Sequence, residues 1–546
     1  MKRFLIISAL LLSGCASIPE LSPVSVVSQV DVDSVADPVR VIARPPSKDM
    51  TKLEIVEGFI AANASIANNY SVARQYLLAS ASSKWKTSFA YLVDPTQTRY
   101  ELVDESTVSV TLTAIGQLDT HSRLTWFDAP ITKLYKFNIA SSADGFRIAS
   151  SEFPVALAVK DFLRSYSHYK LYFVNQDLDR LIPDDVWLAA NTQTGATQVM
   201  KALLQGVPKE FQGAMRSAIP AGVKLELAAV TTSSGVSNVS LSSEAWQLSQ
   251  QQRKALLAQV AWTLSGLPST NAVSVMIGGQ PLTLDGSQQI SRKQVASFSP
   301  ENSDSDDGLF YSDAKGLSRF ASENSVNVGG PTGIQQISVT TSGTQVAYIQ
   351  SGDAYLASVS SIDSATQIAR RITGIDFDSQ DRLWLLDEVG KIIIKTGARE
   401  PLGVAGVPAK VLAISISPEG GRIATVQATG NGNILRIHSI INTANGISLT
   451  PGRRIEMTFT DVTDVDWISS SEIVVIAREG SADSHIYRLG FDGIAPRSLG
   501  VVDDAAQVSA GINVPIAVLS KQGLLLQLIG GRWEPLRTVT SAAYAS

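Results

Sequence analysis

The run Ile414-Ser415-Ile416-Ser417-Pro418-Glu419-Gly420-Gly421-Arg422-Ile423-Ala424-Thr425-Val426 reads as a strand, a tight turn and a second strand. Ile414 and Ile416 fall on one face, Ser415 and Ser417 on the other, and Pro-Glu-Gly-Gly then breaks the alternation. The pattern recurs at 337–343, 375–381 and 465–471, followed each time by a second apolar strand at 345–349, 382–386 and 472–476. A third strand follows, as at 391–394 or 433–437, and a fainter copy starts near Val508. Val339, Phe377, Ile416 and Trp467 are thereby equivalent, roughly 40 to 50 residues apart. A unit of this kind cannot bury both faces of its own sheet, so the units must pack radially. The pattern predicts an all-β propeller over residues 291–546. Leu309-Phe310-Tyr311 supplies a strand to a further unit, giving five or six blades.

Upstream, residues 177–290 read as a compact α/β domain. Thr194 is placed to cap a helix carrying Val199, Ala202 and Leu203, which Gly206 and Pro208 end. Strands are expected at 223–227, 236–241 and 272–277, with a long helix over 249–265 presenting Leu256, Val260 and Leu264. Residues 47–176 start with helices and continue as an antiparallel meander. Ser47 is a plausible cap for a helix with Met50, Leu53, Val56 and Ile60 at helical spacing, and Thr107 to Ala114 alternate strictly. That order predicts an α+β, cone-like N-terminal domain.

The chain opens with MKRFLIISALLLSGC. Lys2 and Arg3 precede a short apolar run, and Leu12-Ser13-Gly14 leads into Cys15, the single cysteine in the chain. The run is shorter than the roughly 20 residues a membrane span needs, and the arrangement is that of an export signal over residues 1–14. Residues 15–46 hold Pro19, Pro23, Pro38, Pro45 and Pro46 without sustained periodicity, the composition of an extended tether.

The 546 residues exceed what one core holds, so about three domains are expected. A net charge of −5 with 17% charged residues lacks the basic surface that nucleic-acid binding requires. His121, His168, His438 and His485 are scattered, and no HExxH, CxxC or GxSxG occurs. The expectation is therefore no catalytic residue, no metal ligand and no cofactor. Gly430-Asn431-Gly432 lies between strands and reads as a hairpin turn rather than a phosphate loop. Asp304, Asp306 and Asp307 begin like a calcium loop, but Lys315 stands where the twelfth-position Glu belongs, and a solvated linker is expected. Trp384, Trp467 and Trp533 fall in or beside propeller strands; most read as packing between blades, with one or two at an exposed rim left as a place to bind a partner.

Leu-Ser-Gly-Cys ending at Cys15 resembles a bacterial lipobox. The resemblance implies cleavage between Gly14 and Cys15, with S-diacylglycerol and N-acyl modification of Cys15. Two acyl chains give stable anchoring where one does not. The turn at Ser417–Gly421 resembles the blade turns of TolB-like propellers. His168 to Phe173, Leu181 to Trp187 and Leu203-Leu204-Gln205-Gly206-Val207-Pro208, in this order behind the lipobox, resemble the actinobacterial LpqB lipoprotein family, with a GerMN domain in the middle and a propeller at the end. The resemblance implies a cell-membrane lipoprotein on the extracytoplasmic face. It implies a partnership with the extracytoplasmic part of a sensor histidine kinase of the MtrB type, which acts on the response regulator MtrA in controlling cell-wall metabolism and division. A second expectation from the residues is a cell-wall glycan-binding or cell-wall-active protein with peptidoglycan as partner, since both cones and propellers offer pockets.

Overall fold

The computed structural model describes residues 43–189, 194–301, 308–321, 324–397, 399–443, 446–455, 458–481, 483–491, 493–494 and 496–545. Gly14 and Cys15, the tether as far as residue 42 and the acidic loop at 304–307 lie outside the described residues. No helix among the described residues is long and apolar enough to cross a membrane.

The first helix, α1, is Lys52–Ala62, and its cap is Thr51 rather than Ser47. Thr51 and Glu54 form a reciprocal capping box, the Glu54 amide donating to Thr51 Oγ1 and the Thr51 amide to Glu54 Oε2 at 2.7 Å. Ser47 has Met50 three residues on and so lacks the carboxylate half of the box. Helices α2 (Ala67–Gln75) and α3 (Ala79–Lys84) follow. They pack against a sheet of β1 (Ala90–Leu102), β2 (Thr107–Leu118), β3 (Leu124–Ser142), β4 (Gly145–Ser150) and β5 (Val155–Ala158). Its pairing is antiparallel except for β1 with β5. The expected alternation of β2 holds: Val108, Val110, Leu112 and Ala114 are buried. Phe59, Trp85, Phe137 and Phe153 close this core in edge-on and tilted contacts 5.1–6.1 Å apart, and the Trp85 indole donates to the Phe153 carbonyl.

A short helix, α4 (Val159–Ser165), leads into the hairpin of β6 (Tyr166–Val174) and β7 (Leu181–Ala189). A domain boundary at 176/177, as read from the sequence, would fall in the turn of this hairpin. The hairpin serves two cores: Trp187 packs with the first, while Leu171, Phe173, Leu181 and Ile182 pack with the second. In the second core α5 (Gly195–Leu204) and α6 (Gln250–Leu264) lie with a sheet of β8 (Thr231–Ser233), β9 (Val236–Leu241), β10 (Ala272–Ile277) and β11 (Gln280–Pro281). Strands β9 and β10 run parallel. Helix α6 has its cap at Ser249 and buries Leu256, Val260 and Leu264, as its spacing predicts. The strand expected at 223–227 does not form. Leu225 bridges Leu241, but Leu227 beyond it is 63% exposed, so the apolar alternation is not matched by burial.

From Leu309 onward the described residues form strands, apart from a short 3-10 helix at Val359–Ser364. Five four-stranded antiparallel sheets occur among the described residues, four of them in simple chain order. Their first strands are Gln336–Val339, Ile372–Phe377, Phe459–Ser469 and Ala505–Ser509, matching the repeat read from the sequence. The fifth joins distant segments: Leu309–Asp313 pairs on one side with Gly316–Ala321 and on the other with Ser541–Ala543. Five further strands run from Val411–Ile416 to Arg453–Arg454, where Arg454 pairs with Trp126 of β3. This set is thus continuous with the N-terminal sheet.

Candidate functional site

One segment from each of these six strand sets lines a common cavity of about 230 Å³. The second position of the repeat is occupied in turn by Ser338, Asp376, Ser415, Asp466 and Ser509. These side chains stitch each first strand to the next. Ser338 Oγ donates to Asp376 Oδ1 at 3.2 Å, and Asp376 Oδ2 accepts from the Ile416 amide at 2.6 Å. Ser415 Oγ donates to Asp466 Oδ1 at 2.8 Å, and Asp466 Oδ2 accepts from the Ala510 amide at 2.8 Å. Ser509 Oγ accepts from the Tyr544 amide, and Ala545 bridges back to Val339. Small hydroxyls and short carboxylates suit this position because they reach an adjacent backbone amide without filling the cavity.

Asp464 adds a parallel link, accepting from the Val508 amide at 2.8 Å. Burial raises the Asp464 carboxyl to about 7, helped by the neighbouring Asp466 charge and opposed by the Val508 amide. Burial likewise raises Asp466 to about 6 against its three or more hydrogen bonds. The two carboxyls therefore change charge near neutrality.

A second polar cluster lies where the three parts of the chain meet. Arg123, at the start of the β3 hairpin, and Asp184 of β7 form a buried bidentate pair, Nε donating to Oδ1 at 3.0 Å. Next to it, His168 Nε2 and Asp185 Oδ1 lie 2.6 Å apart. Burial alone would raise the Asp185 carboxyl, but His168, Lys170 and Arg453 outweigh it and hold it at about 2. Arg453 and Arg454 donate to the carbonyls of Leu124 and Asp128, and Arg436 pairs with the Asp128 carboxylate. Arg180 reaches the Pro418 carbonyl at 3.3 Å. Each pair of domains is thus joined by at least one arginine.

The four histidines occupy four separate places. His121 sits in a turn made by Asp119 and His168 in the junction. His438 is buried; its Nδ1–H donates to the Thr450 carbonyl and Nε2 faces Thr425 Oγ1, while burial lowers its pKa. His485 stacks on Tyr487. No group of three His, Cys, Asp or Glu poised for a metal occurs among the described residues. Gly430–Gly432 is the expected turn, Thr429 pairing with Gly432. Trp384 and Trp467 are buried, and the Trp467 indole donates to the Ser415 carbonyl of the neighbouring sheet, as inter-unit packing requires. Trp533 is half-buried on Leu499 of the adjacent sheet.

A mixed N-terminal domain, a small α/β domain and a terminal strand repeat, tied together by arginines, define a multidomain protein with a strand-rich C-terminal region. The chain belongs to the LpqB lipoprotein family. Residues 45–163 match the family model described as Lipoprotein LpqB, N-terminal domain, 170–283 that of sporulation and spore germination (Germane), and 316–545 that of the Lipoprotein LpqB beta-propeller domain. Lipoprotein LpqB of Cutibacterium acnes is 25% identical over 98% of this chain and 97% of its own length. That of Streptomyces coelicolor is 24% identical over 98% and 96%. Among solved structures, TolB from Acinetobacter baumannii aligns at 13% identity with a TM-score of 0.36, covering 53% of this chain and 85% of that one.

Proposed function

We propose that this chain is anchored through Cys15, S-diacylglyceryl and N-acyl modified after cleavage behind Gly14, on the extracytoplasmic face of the cell membrane. There it modulates an MtrB-type sensor histidine kinase governing cell-wall metabolism and division, without catalysis of its own. On this reading residues 1–14 are the signal, 15–46 the tether, and the three domains follow, with the hairpin of β6 and β7 shared between the first two. The terminal domain is a closed six-bladed propeller, its first blade completed by Ser541–Ala543. The supporting observation is the family's three domains, in family order, over nearly the whole chain.

Anchoring confines a weak interface near the kinase and raises its effective concentration. Regulation further requires that contact favour one kinase state, since equal affinity for both would shift nothing. The test uses a strain lacking the lipoprotein, complemented with wild type or with an exported form carrying Cys15→Ser at matched abundance. The reading expects fatty-acid labelling on wild type alone and poor restoration of kinase output by the variant. Full restoration by the unanchored form overturns the confinement argument. Absence of binding between the mature protein and the kinase's extracytoplasmic domain overturns the partner.

A further inference from the structure

The strand Ser541–Ala543 pairs with Leu309–Asp313, and Ala542, Ala543 and Tyr544 form one wall of the shared cavity. Its register within the repeat follows from the hydrogen bonds between first strands. The Phe377, Ile416, Ala510 and Tyr544 amides donate to Ser338, Asp376, Asp466 and Ser509. The first three stand one residue past the second position of their own strands, at 376, 415 and 509. By the same count the second position of the last strand is Ala543. The other five second positions are serine or aspartate, each with an oxygen to offer the neighbouring strand. A methyl group offers none. The backbone bridge between Ala545 and Val339 is the contact to Gln336–Val339 at this joint that involves no second-position side chain.

Two further features weaken the same segment. Ser312 and Ser541 lie directly opposite each other and are fully buried, and neither hydroxyl has a partner among the described residues. A buried hydroxyl without a partner favours any state in which water reaches it. The apolar side chains beside the second position are also reduced. Ile337 and Val339, Ile375 and Phe377, Ile414 and Ile416, and Val465 and Trp467 flank the equivalent residues, whereas Ala542 precedes Ala543. Tyr544 is the one large anchor of the segment: its ring is 5% exposed, it clusters with Leu309 and Leu525, and its hydroxyl accepts from Gln527 Nε2 at 2.7 Å. Local opening in native proteins is drawn from segments with little apolar burial of their own.

We infer that residues 541–545 are a releasable latch on the cavity. They part from Leu309–Asp313 and from Val339, pivoting at Thr540, while the other strand sets stay folded, and their release removes one wall of the cavity. The inference goes beyond kinase modulation and depends on neither that reading nor the anchor. The test is native-state hydrogen exchange of the full mature protein, followed by mass spectrometry. Residues 541–545 and the Leu309–Asp313 amides that face them should exchange together, at least tenfold faster than Glu472–Glu479 in the middle of a neighbouring sheet. Ala543→Ser supplies the missing hydroxyl and should slow this opening about tenfold. Tyr544→Ala should speed it at least tenfold, and Glu472–Glu479 should keep its rate in both variants. Ser541→Ala, which removes an unmet hydroxyl, should also slow the opening and serves where Ala543→Ser does not fold. Exchange of 541–545 at the rate of Glu472–Glu479 overturns the inference. So does a variant that shifts every strand equally, or an opening rate that none of the variants changes.

Discussion

Asp464 and Asp466 make propeller stability depend on pH in a direction opposite to that of most carboxylates. In the unfolded chain each titrates near 3.8; in the folded chain near 7 and 6. The folded state therefore holds protons that the unfolded state has already released. Stability is greatest below about 4 from these groups alone and declines as pH rises from about 4 to 7, then levels off. Asp464→Asn should flatten that decline, measured as the denaturation midpoint of the mature protein from pH 4 to 8; an unchanged slope would show that Asp464 does not titrate there. Asp185 acts with the other sign. Its folded value of about 2 means a contribution present above about 4 and lost as pH falls towards 2. Arg123 is the residue whose loss should hurt most. With Asp184 left buried and unpaired, Arg123→Ala should cost about 3–5 kcal/mol, read from chemical denaturation. Arg123→Lys should restore little, because one ammonium cannot replace the two-pronged contact.

At the scale of elements, the serine–aspartate column makes the first strands depend on one another. Asp376→Ala removes the acceptor for the Ile416 amide and the partner of Ser338, and should cost about 1–3 kcal/mol. Its effect should spread to amide exchange in both Gln336–Val339 and Val411–Ile416; protection lost in Ile372–Phe377 alone would contradict the linkage. The repeat itself was legible because its apolar positions alternate with period 2 and its turns carry Gly, Pro and Asp. Ser338, Asp376, Ser415 and Asp466 were visible too, as one column of the aligned repeat. Alternation says only that such a column faces away from the apolar side. It cannot say that the far side is a cavity shared with neighbouring strands. Thr51 was missed as the first cap because Ser47 also precedes the periodic run, and only the Glu three residues on discriminates them. A left-handed turn at Asn68–Tyr70 contains no glycine and left no signal. The Arg123–Asp184 and His168–Asp185 pairs depend on how β6 and β7 cross from one core to the other, which no local pattern encodes.

At the scale of the whole molecule, the arginine junction predicts that the domains do not unfold separately. Arg436→Ala combined with Arg454→Ala removes the side-chain contacts that tie the terminal strands to Asp128 of β3. The wild type should melt in one calorimetric transition and the double variant in two, with the propeller retaining its own midpoint. A single unshifted transition in the variant would place the cohesion elsewhere.

On the extracytoplasmic placement proposed above, the pairing of Leu309–Asp313 with Ser541–Ala543 bears on how the chain is assembled after export. Thr540 and its partner Ser312 are 228 residues apart in the chain. A polypeptide threaded across a membrane emerges from its amino end, so Leu309–Asp313 reaches the far side long before the strand that completes its sheet. Through that interval it carries a bare row of backbone donors and acceptors, a template for pairing with the wrong chain. On the anchoring proposed through Cys15, one membrane surface would hold many such half-built molecules at once. A periplasmic-type holding factor, or rapid burial of that edge against the domains already folded, becomes a requirement of biogenesis, and crowded overexpression should raise aggregation ahead of any loss of folded stability.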